Sequence, residues 1–214
     1  MKNRYEDNKM DKKQILFATT NEGKLGEIRA ILEGTDIEVI SLKDAGIDIE
    51  VIEDGATFRE NAVIKAEAIM KETGKLTLAD DSGLEVDFLN KEPGIYSARY
   101  CGVNTPYKIK NRNILERLTD VPDEKRTARF VCAIAAAYPD GETVTVQATM
   151  EGRIGYEETG LNGFGYDPIF YLPEYGCYSA QLSPEKKNEI SHRGKALRMM
   201  ADKILEDPLK EKLI

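Results

Sequence analysis

One histidine, His192, stands among 214 residues, which excludes a histidine-rich metal centre and leaves carboxylates to carry acid, base or metal chemistry. The three cysteines, Cys101, Cys132 and Cys177, form no CxxC pair and match no zinc-ligand spacing, so they read as reduced and structural. No stretch approaches the ~18 consecutive apolar residues of a membrane span. The opening MKNRYEDNKMDKKQ also lacks the apolar centre of a signal peptide, so the expectation is a cytoplasmic protein with no membrane contact. A basic excess is missing too. Thirty Lys and Arg against 38 Asp and Glu give a net charge of −8, and an acidic field of that sign repels a polyphosphate backbone, so long DNA or RNA is not an expected partner. A small anionic ligand stays compatible, because a few local cations and a divalent metal overcome a modest global repulsion. There is no internal repeat and no low-complexity linker. With 41% hydrophobic and 32% charged residues, the chain has the material for one compact domain or two closely joined lobes.

Residues 1–13 are polar and without apolar period, and read as a frayed leader ahead of a domain over residues 14–214. Ile15-Leu16-Phe17-Ala18 suits a buried strand, after which Leu25, Ile28 and Leu32 change the period to helical. A second strand is expected over Ile37 to Leu42. Thr57-Phe58-Arg59-Glu60 has the form that starts a helix, with Ala62, Ala66, Ile69 and Met70 inward and an end near Gly74. Leu76 to Ala79 and Leu84 to Phe88 read as two strands joined by a turn at Asp80-Asp81-Ser82-Gly83, which places acidic side chains at a strand end. Ile109, Leu115 and Leu118 suggest a further helix. Phe130 to Tyr138 and Thr143 to Thr149 flank Pro139-Asp140-Gly141-Glu142, whose Asp-Gly pair marks a hairpin. Ser183-Pro184 opens one late helix, and Ser191 caps a last one that buries Leu197, Met200, Ile204 and Leu205. The alternation of strands and helices around one long hairpin predicts an α/β fold with a mixed sheet.

Four segments can carry chemistry, and each also has a plain structural reading. Thr19-Thr20-Asn21-Glu22-Gly23-Lys24 lies between strand and helix, where free N–H groups and the helix dipole favour a phosphate and Lys24 adds a full charge. It is not a P-loop, since Leu25 replaces the Ser/Thr after Gly-Lys; alone it is equally an ordinary capped helix. Asp80-Asp81 and Glu53-Asp54-Gly55 are acidic turns whose oxygens suit Mg²⁺, although they can equally be Asx-turns. Successive residues of an extended chain face opposite ways, so one of Asp80 and Asp81 should lead in ligation. Gly163-Phe164-Gly165-Tyr166-Asp167-Pro168 lets the chain approach a flat heterocycle between rings, or simply packs those rings in a core. Ser191-His192-Arg193-Gly194-Lys195, after Lys186-Lys187, is a cationic patch at a helix start, or a solvated terminus. No GxSxG elbow is present to support a Ser-His-Asp triad.

Taken in order, ATTNEGK, ENAVIKA, LADDSGLEVD, PGIYSARY, GFGYDPIF and ISHRGKAL closely resemble the inosine triphosphate pyrophosphatase family, from about Ile15 to about Leu205. The resemblance implies a mixed twisted sheet in two lobes around a nucleotide-binding cleft, a homodimer, and Mg²⁺-dependent hydrolysis of ITP, dITP and XTP to the monophosphate and pyrophosphate. It implies that Thr19, Thr20, Asn21, Glu22, Gly23 and Lys24 hold triphosphate and sugar, with Lys65 and Lys187 as further phosphate cations; Thr20 and Glu22 occupy places where the family varies. Asp81 matches the general base and metal-linked acid, Glu53 a second metal ligand, and Asp80 lies close to the same ion. Ser82 would contact substrate. Phe164 and Tyr166 would stack on the purine beside Gly165 and Asp167, and His192 with Arg193 would read the base edge.

Two other readings keep parts of this chemistry. A related pyrophosphatase for pyrimidine or modified nucleotides retains the mechanism with another base pocket. A nucleotide-binding sensor without hydrolysis is the alternative from another class, although a pure binder has little need for Glu53, Asp80, Asp81 and the lysines together. An aspartyl-phosphate phosphatase fits poorly, because its aspartates alternate as D-x-D.

Overall fold

A computed structural model describes residues 13–35 and 37–205. The leader read from residues 1–13 lies outside them, apart from Lys13, and so does the Leu205 side chain. Strand β1 (Lys13–Phe17) leads into helix α1 (Glu22–Ile31), where the Asn21 side chain caps the Lys24 N–H, and then into β2 (Ile37–Ser41). Helix α2 (Phe58–Thr73) is capped by Thr57, which accepts from the Glu60 N–H, and stops at Gly74 in the left-handed conformation. Next come β3 (Thr77–Val86), α3 (Tyr107–Arg117), the hairpin of β4 (Thr127–Ala137) and β5 (Thr143–Ile154), and the short strands β6 (Phe170–Leu172) and β7 (Cys177–Tyr178). Helices α4 (Pro184–Ile190) and α5 (His192–Leu205) are the last of the described elements. Ser183 caps α4, and Ser191 Oγ accepts from the Gly194 N–H at 3.0 Å.

Among the described residues the strands form one seven-stranded sheet in the order β2-β1-β3-β4-β5-β6-β7. β1 pairs in parallel with β2 and β3, and every later pairing is antiparallel. The α/β mixed sheet read from the sequence is therefore the fold. One face packs α1 and α5 through Ile15, Phe17, Ile28, Leu197 and Met200. On the other face, Ala62 and Ala66 of α2 meet Ala133, Ala135 and Ala137 of β4, small residues that let helix and sheet approach closely. A third cluster gathers β5, β6 and α3 around Ile114, Phe130, Ile154 and Phe170. Buried Arg126 braces that end, donating to the Leu118 carbonyl at the C-terminus of α3 and to the Ile154 and Gly155 carbonyls at the end of β5.

One expectation fails. Asp80-Asp81-Ser82-Gly83 is not a turn between two strands; it is the middle of the ten-residue β3, paired residue for residue with β4 from Thr77↔Ala137 to Val86↔Ala128. The acidic pair thus sits within the sheet, not at a strand end. The pairing takes up alternate backbone groups of the strand, and on its other edge the Asp80 carbonyl accepts from Lys65 Nζ and the Leu84 N–H donates to Ser97 Oγ. Gly83 has another purpose there. A Cβ on it would lie 2.4 Å from Ser97 Oγ and 2.5 Å from the Gly94 carbonyl, so its lack of a side chain lets the 94–99 turn lie against the strand. Phe88, expected in that second strand, is in the following 3-10 turn and is exposed.

Because backbone as well as side chain blocks the added methyl, Gly83→Ala should lower unfolding free energy by about 1–3 kcal/mol. A shift of the urea midpoint to lower concentration measures it, and an unchanged midpoint would show that the turn moves freely.

Candidate active site

Because β3 is extended, its two acidic residues project to opposite faces. Asp80 points toward α1 and α5 and is 1% exposed. Its Oδ2 accepts from Lys24 Nζ at 2.8 Å and from Ser82 Oγ at 3.0 Å, with Arg193 Nε 3.7 Å away; Oδ1 has no hydrogen-bond partner. Burial alone would raise its pKa, but Lys24, Arg193 and Lys65 outweigh that and hold it far below the usual carboxylate range. Asp81 points toward α2, where its Oδ2 accepts from Asn61 Nδ2 at 3.1 Å. Burial pushes its pKa up against the opposing pull of Lys65 and Asn61. One aspartate is a fixed anion and its neighbour a carboxylate with raised proton affinity.

Helix α2 organises the Asp81 side. Asn61 and Lys65 are one turn apart on its face. Asn61 Oδ1 accepts from the Gly55 N–H at 2.9 Å, and Lys65 Nζ bonds Glu53 Oε1 at 2.8 Å and the Asp80 carbonyl at 3.0 Å, so the 53–55 loop is drawn over the strand. Burial pulls the Lys65 pKa down, but Asp80 and Glu53 reverse this and its net direction is up, so it stays a cation. Asp54, read with Glu53 as one acidic turn, is exposed and lies outside the cleft.

On the opposite side, Glu27 of α1 bridges two cations from the C-terminal segment. Lys187 Nζ lies 3.0 Å from Glu27 Oε1 and 2.6 Å from Asp167 Oδ2, while Arg193 Nη1 bonds Glu27 Oε2 and its Nη2 donates to Ser82 Oγ at 3.0 Å. Asp167 also accepts from the Phe164 N–H at 2.8 Å and from Ser179 Oγ at 2.7 Å, which fixes the glycine-flanked loop. Phe164 lies against Gly23, and Lys187 and Arg193 stand over its ring at 4.8 and 5.7 Å. His192 is buried and stacked on Phe130, ring centroids 4.9 Å apart.

Most of these groups line one cleft of about 720 Å³, counting its open mouth. Of the residues predicted for the site, Asn21, Lys24, Glu53, Lys65, Asp81, Ser82, Phe164, Gly165, Tyr166, Asp167, Lys187, His192 and Arg193 are on its walls. Thr19, Thr20, Glu22 and Gly23 are not, although Thr19 Oγ1 accepts from the Asn21 N–H at 3.2 Å and so shapes the entry to α1. Asp80 is behind the wall, holding Lys24 and Ser82 in place. Tyr166 is 3% exposed and its hydroxyl is committed to the Ser97 carbonyl at 2.8 Å. Sequence reading missed Asn61, Glu27, Phe130 and Tyr107. The first two carried a signal: each lies on the same helical face as a lysine already singled out, four residues before Lys65 and three after Lys24. Phe130 and Tyr107 reach the cleft only through the β3–β4 pairing and the docking of α3.

The charges decide what the cleft can hold. On the wall itself Lys24, Lys65, Lys187 and Arg193 stand with Glu53, Asp81 and Asp167, while Glu27 and Asp80 lie outside the lining, so each cation already has a carboxylate partner. A polyphosphate must compete with those carboxylates for the cations, and a divalent ion would offset the charge it adds. No group of three or more His, Cys, Asp or Glu side chains among the described residues is arranged to hold a metal by itself. Glu53 and Asp81, two hard carboxylates in the cleft, fit Mg²⁺, which takes one or two carboxylates together with substrate phosphates.

Cations, a carboxylate of raised proton affinity and aromatic walls in one cleft of an α/β sheet define a nucleotide-binding protein with the parts of a hydrolase. The chain belongs to the Ham1 family, whose pattern matches residues 15–203. It is 49% identical to a dITP/XTP pyrophosphatase of Bacillus licheniformis over 88% of this chain and 96% of that protein. With a dITP/XTP pyrophosphatase of Clostridium perfringens it shares 43% identity, over 90% of this chain and 97% of the relative. Among solved structures it matches the Staphylococcus aureus Ham1 protein (TM-score 0.80, 43% identity, 91% and 98% of the two chains). A HAM1 protein from Coxiella burnetii is equally similar (TM-score 0.82, 39% identity, 91% and 99%).

His192 gives a test of this electrostatic picture. Burial first, then Arg193 and Lys187, hold its pKa well below 6.5, so the folded protein keeps it neutral. The unfolded chain takes up that proton below about pH 6.5, so stability present above that pH declines beneath it, by up to about 1.4 kcal/mol per unit. His192→Phe keeps a ring on Phe130 and should remove this slope. Urea midpoints of wild type and variant at pH 7 and pH 5.5 measure it, and equal losses would mean that the imidazole is protonated in the fold.

Proposed function

We propose that this protein hydrolyses the non-standard purine nucleoside triphosphates dITP, ITP and XTP to the monophosphate and pyrophosphate, removing them from the nucleotide pool. The observation that carries the reading is Asp81: a buried carboxylate with raised proton affinity, on the wall of a cleft that also presents Lys24, Lys65, Lys187 and aromatic rings. Its relatives named dITP/XTP pyrophosphatase, matched along almost their whole length, support the same substrate class. Mg²⁺ as cofactor, a cytoplasmic location and a homodimer complete the reading, on the resemblance to the inosine triphosphate pyrophosphatase family.

In this mechanism the triphosphate lies among Asn21, Lys24, Lys65 and Lys187; each lysine can exchange a carboxylate partner for a phosphate oxygen, and the Asn21 amide can donate to one from Nδ2. Glu53 and Asp81 would hold Mg²⁺, which would neutralise phosphate oxygens and stabilise pyrophosphate as leaving group. Asp81 takes the proton from the attacking water as the bond between α- and β-phosphates breaks, and Asn61 keeps its carboxylate turned toward the cleft. No covalent intermediate is required. Inosine and xanthine carry a 6-keto acceptor where adenine carries a 6-amino donor, so a donor from Arg193 or nearby backbone N–H groups, left unpaired by ATP, separates the two.

Incubating the protein and Mg²⁺ with ITP, XTP, GTP, ATP and dTTP in turn, with pyrophosphate and single phosphate measured in parallel, tests the function. Pyrophosphate from ITP and XTP with little from the others is expected. Release mainly from dTTP, or from none, would overturn it. Asp81→Asn should lose ~10²–10⁴ in kcat while nucleotide binding by calorimetry stays near wild type; normal turnover would remove Asp81 from its role.

A further inference from the structure

We propose that Tyr107, on the first turn of α3, is a purine-contacting residue whose ring forms one wall of the base pocket; this rests on the nucleotide-hydrolase reading above. The other rings at the cleft have commitments. Phe130 lies under His192 and against Phe170, the Tyr166 hydroxyl is spent on the Ser97 carbonyl, and Phe164 carries Lys187 and Arg193 over its ring. Tyr107 lines the same cleft, is 36% exposed, and its hydroxyl makes no hydrogen bond to any described residue.

Its ring is nonetheless held still. It meets Tyr166 edge to face with centroids 5.2 Å apart, and Lys110 Nζ stands 4.6 Å from its centroid. Lys110 is itself buried and tied to the Ala98 carbonyl at 2.5 Å, while Asn111 Nδ2 bonds the Gly165 carbonyl at 3.2 Å, so α3 is fastened to the glycine-flanked loop. Gly165 keeps the approach to Tyr107 open. Its φ of 69° favours glycine, and an added Cβ would already touch the tyrosine ring at 3.5 Å, so a larger side chain would cover it. A rigid, exposed ring with an open face beside glycine is the platform on which a flat heterocycle stacks at little ordering cost.

Stacking of one base on one aromatic ring is lost on truncation with an effect on the order of tenfold. The test compares wild type, Tyr107→Ala, Tyr107→Leu and Tyr107→Phe. For each, ITP kinetics, inhibition by tripolyphosphate, which has no base, and calorimetric binding of inosine monophosphate are measured, with circular dichroism as the check on folding. Tyr107→Ala and Tyr107→Leu should raise KM for ITP about tenfold with kcat within about threefold, weaken inosine monophosphate by a similar factor and leave tripolyphosphate unchanged. Tyr107→Phe should recover most of the loss. Leucine keeps bulk against Tyr166 and so reports the contact even if alanine disturbs the fold. Unchanged KM and monophosphate affinity would overturn the proposal, and so would parallel weakening of ITP and tripolyphosphate, which marks a ring that merely supports the cleft. If wild type turns over neither ITP nor XTP, the proposed function fails separately. Monophosphate binding then decides Tyr107: a tenfold loss in the variants sustains the contact, and equal or absent binding ends it.

Discussion

A carboxylate buried at the centre of a sheet must find positive charge, and in this protein Asp80 finds it from three directions. Lys24 comes from α1, Arg193 from α5 and Lys65 from α2, the last through the strand carbonyl. Elements distant in sequence are thereby aimed at one point, for an unpaired ion in that position would be costly enough to open the structure. Ser82, two residues along the same face, extends the network by donating to Asp80 and accepting from Arg193. Lys24, Lys65 and Arg193, which face the cleft, are therefore placed by an anion that does not line it.

The pleat then separates two tasks that adjacent residues of the same type would otherwise share. Asp80 is held ionised by cations, whereas Asp81, a single residue on, is governed chiefly by desolvation and keeps a raised affinity for protons. Support for Asp81 comes from a neutral amide, Asn61, which orients the carboxylate without stabilising its charge as strongly as a lysine in contact would. Positioning and basicity are in this way supplied by different faces of one strand.

Most of the architecture was legible because each element carried its own local signals: the Thr57 and Ser183 caps, the Asp140-Gly141 turn, and the helical periods of α1 and α2. The break at Asp80–Gly83 was misread for a physical reason. Two aspartates, a serine and a glycine have the composition of a turn, and only the ten-residue pairing with β4 overrides it. Site residues followed the same division. Lys24, Lys65, Asp81, Lys187 and Arg193 stood in recognisable motifs. Tyr107 and Phe130 stood in none, and the role of Asp80 behind the wall depends on which way the strand turns its side chains, a matter of register that neighbouring residues do not encode.

Glu27 gives the cleft a further property. It holds Lys187 and Arg193 simultaneously, and Asp167 and Asp80 hold the same two cations from their other sides. A ligand's oxygens do not meet free positive charge; they must displace carboxylates already seated, so the cleft works as an ion exchanger. A lone phosphate can replace one contact and leaves the remainder of the lattice closed against it. A chain of phosphates can take several contacts at once, and that multiplicity favours a triphosphate over orthophosphate.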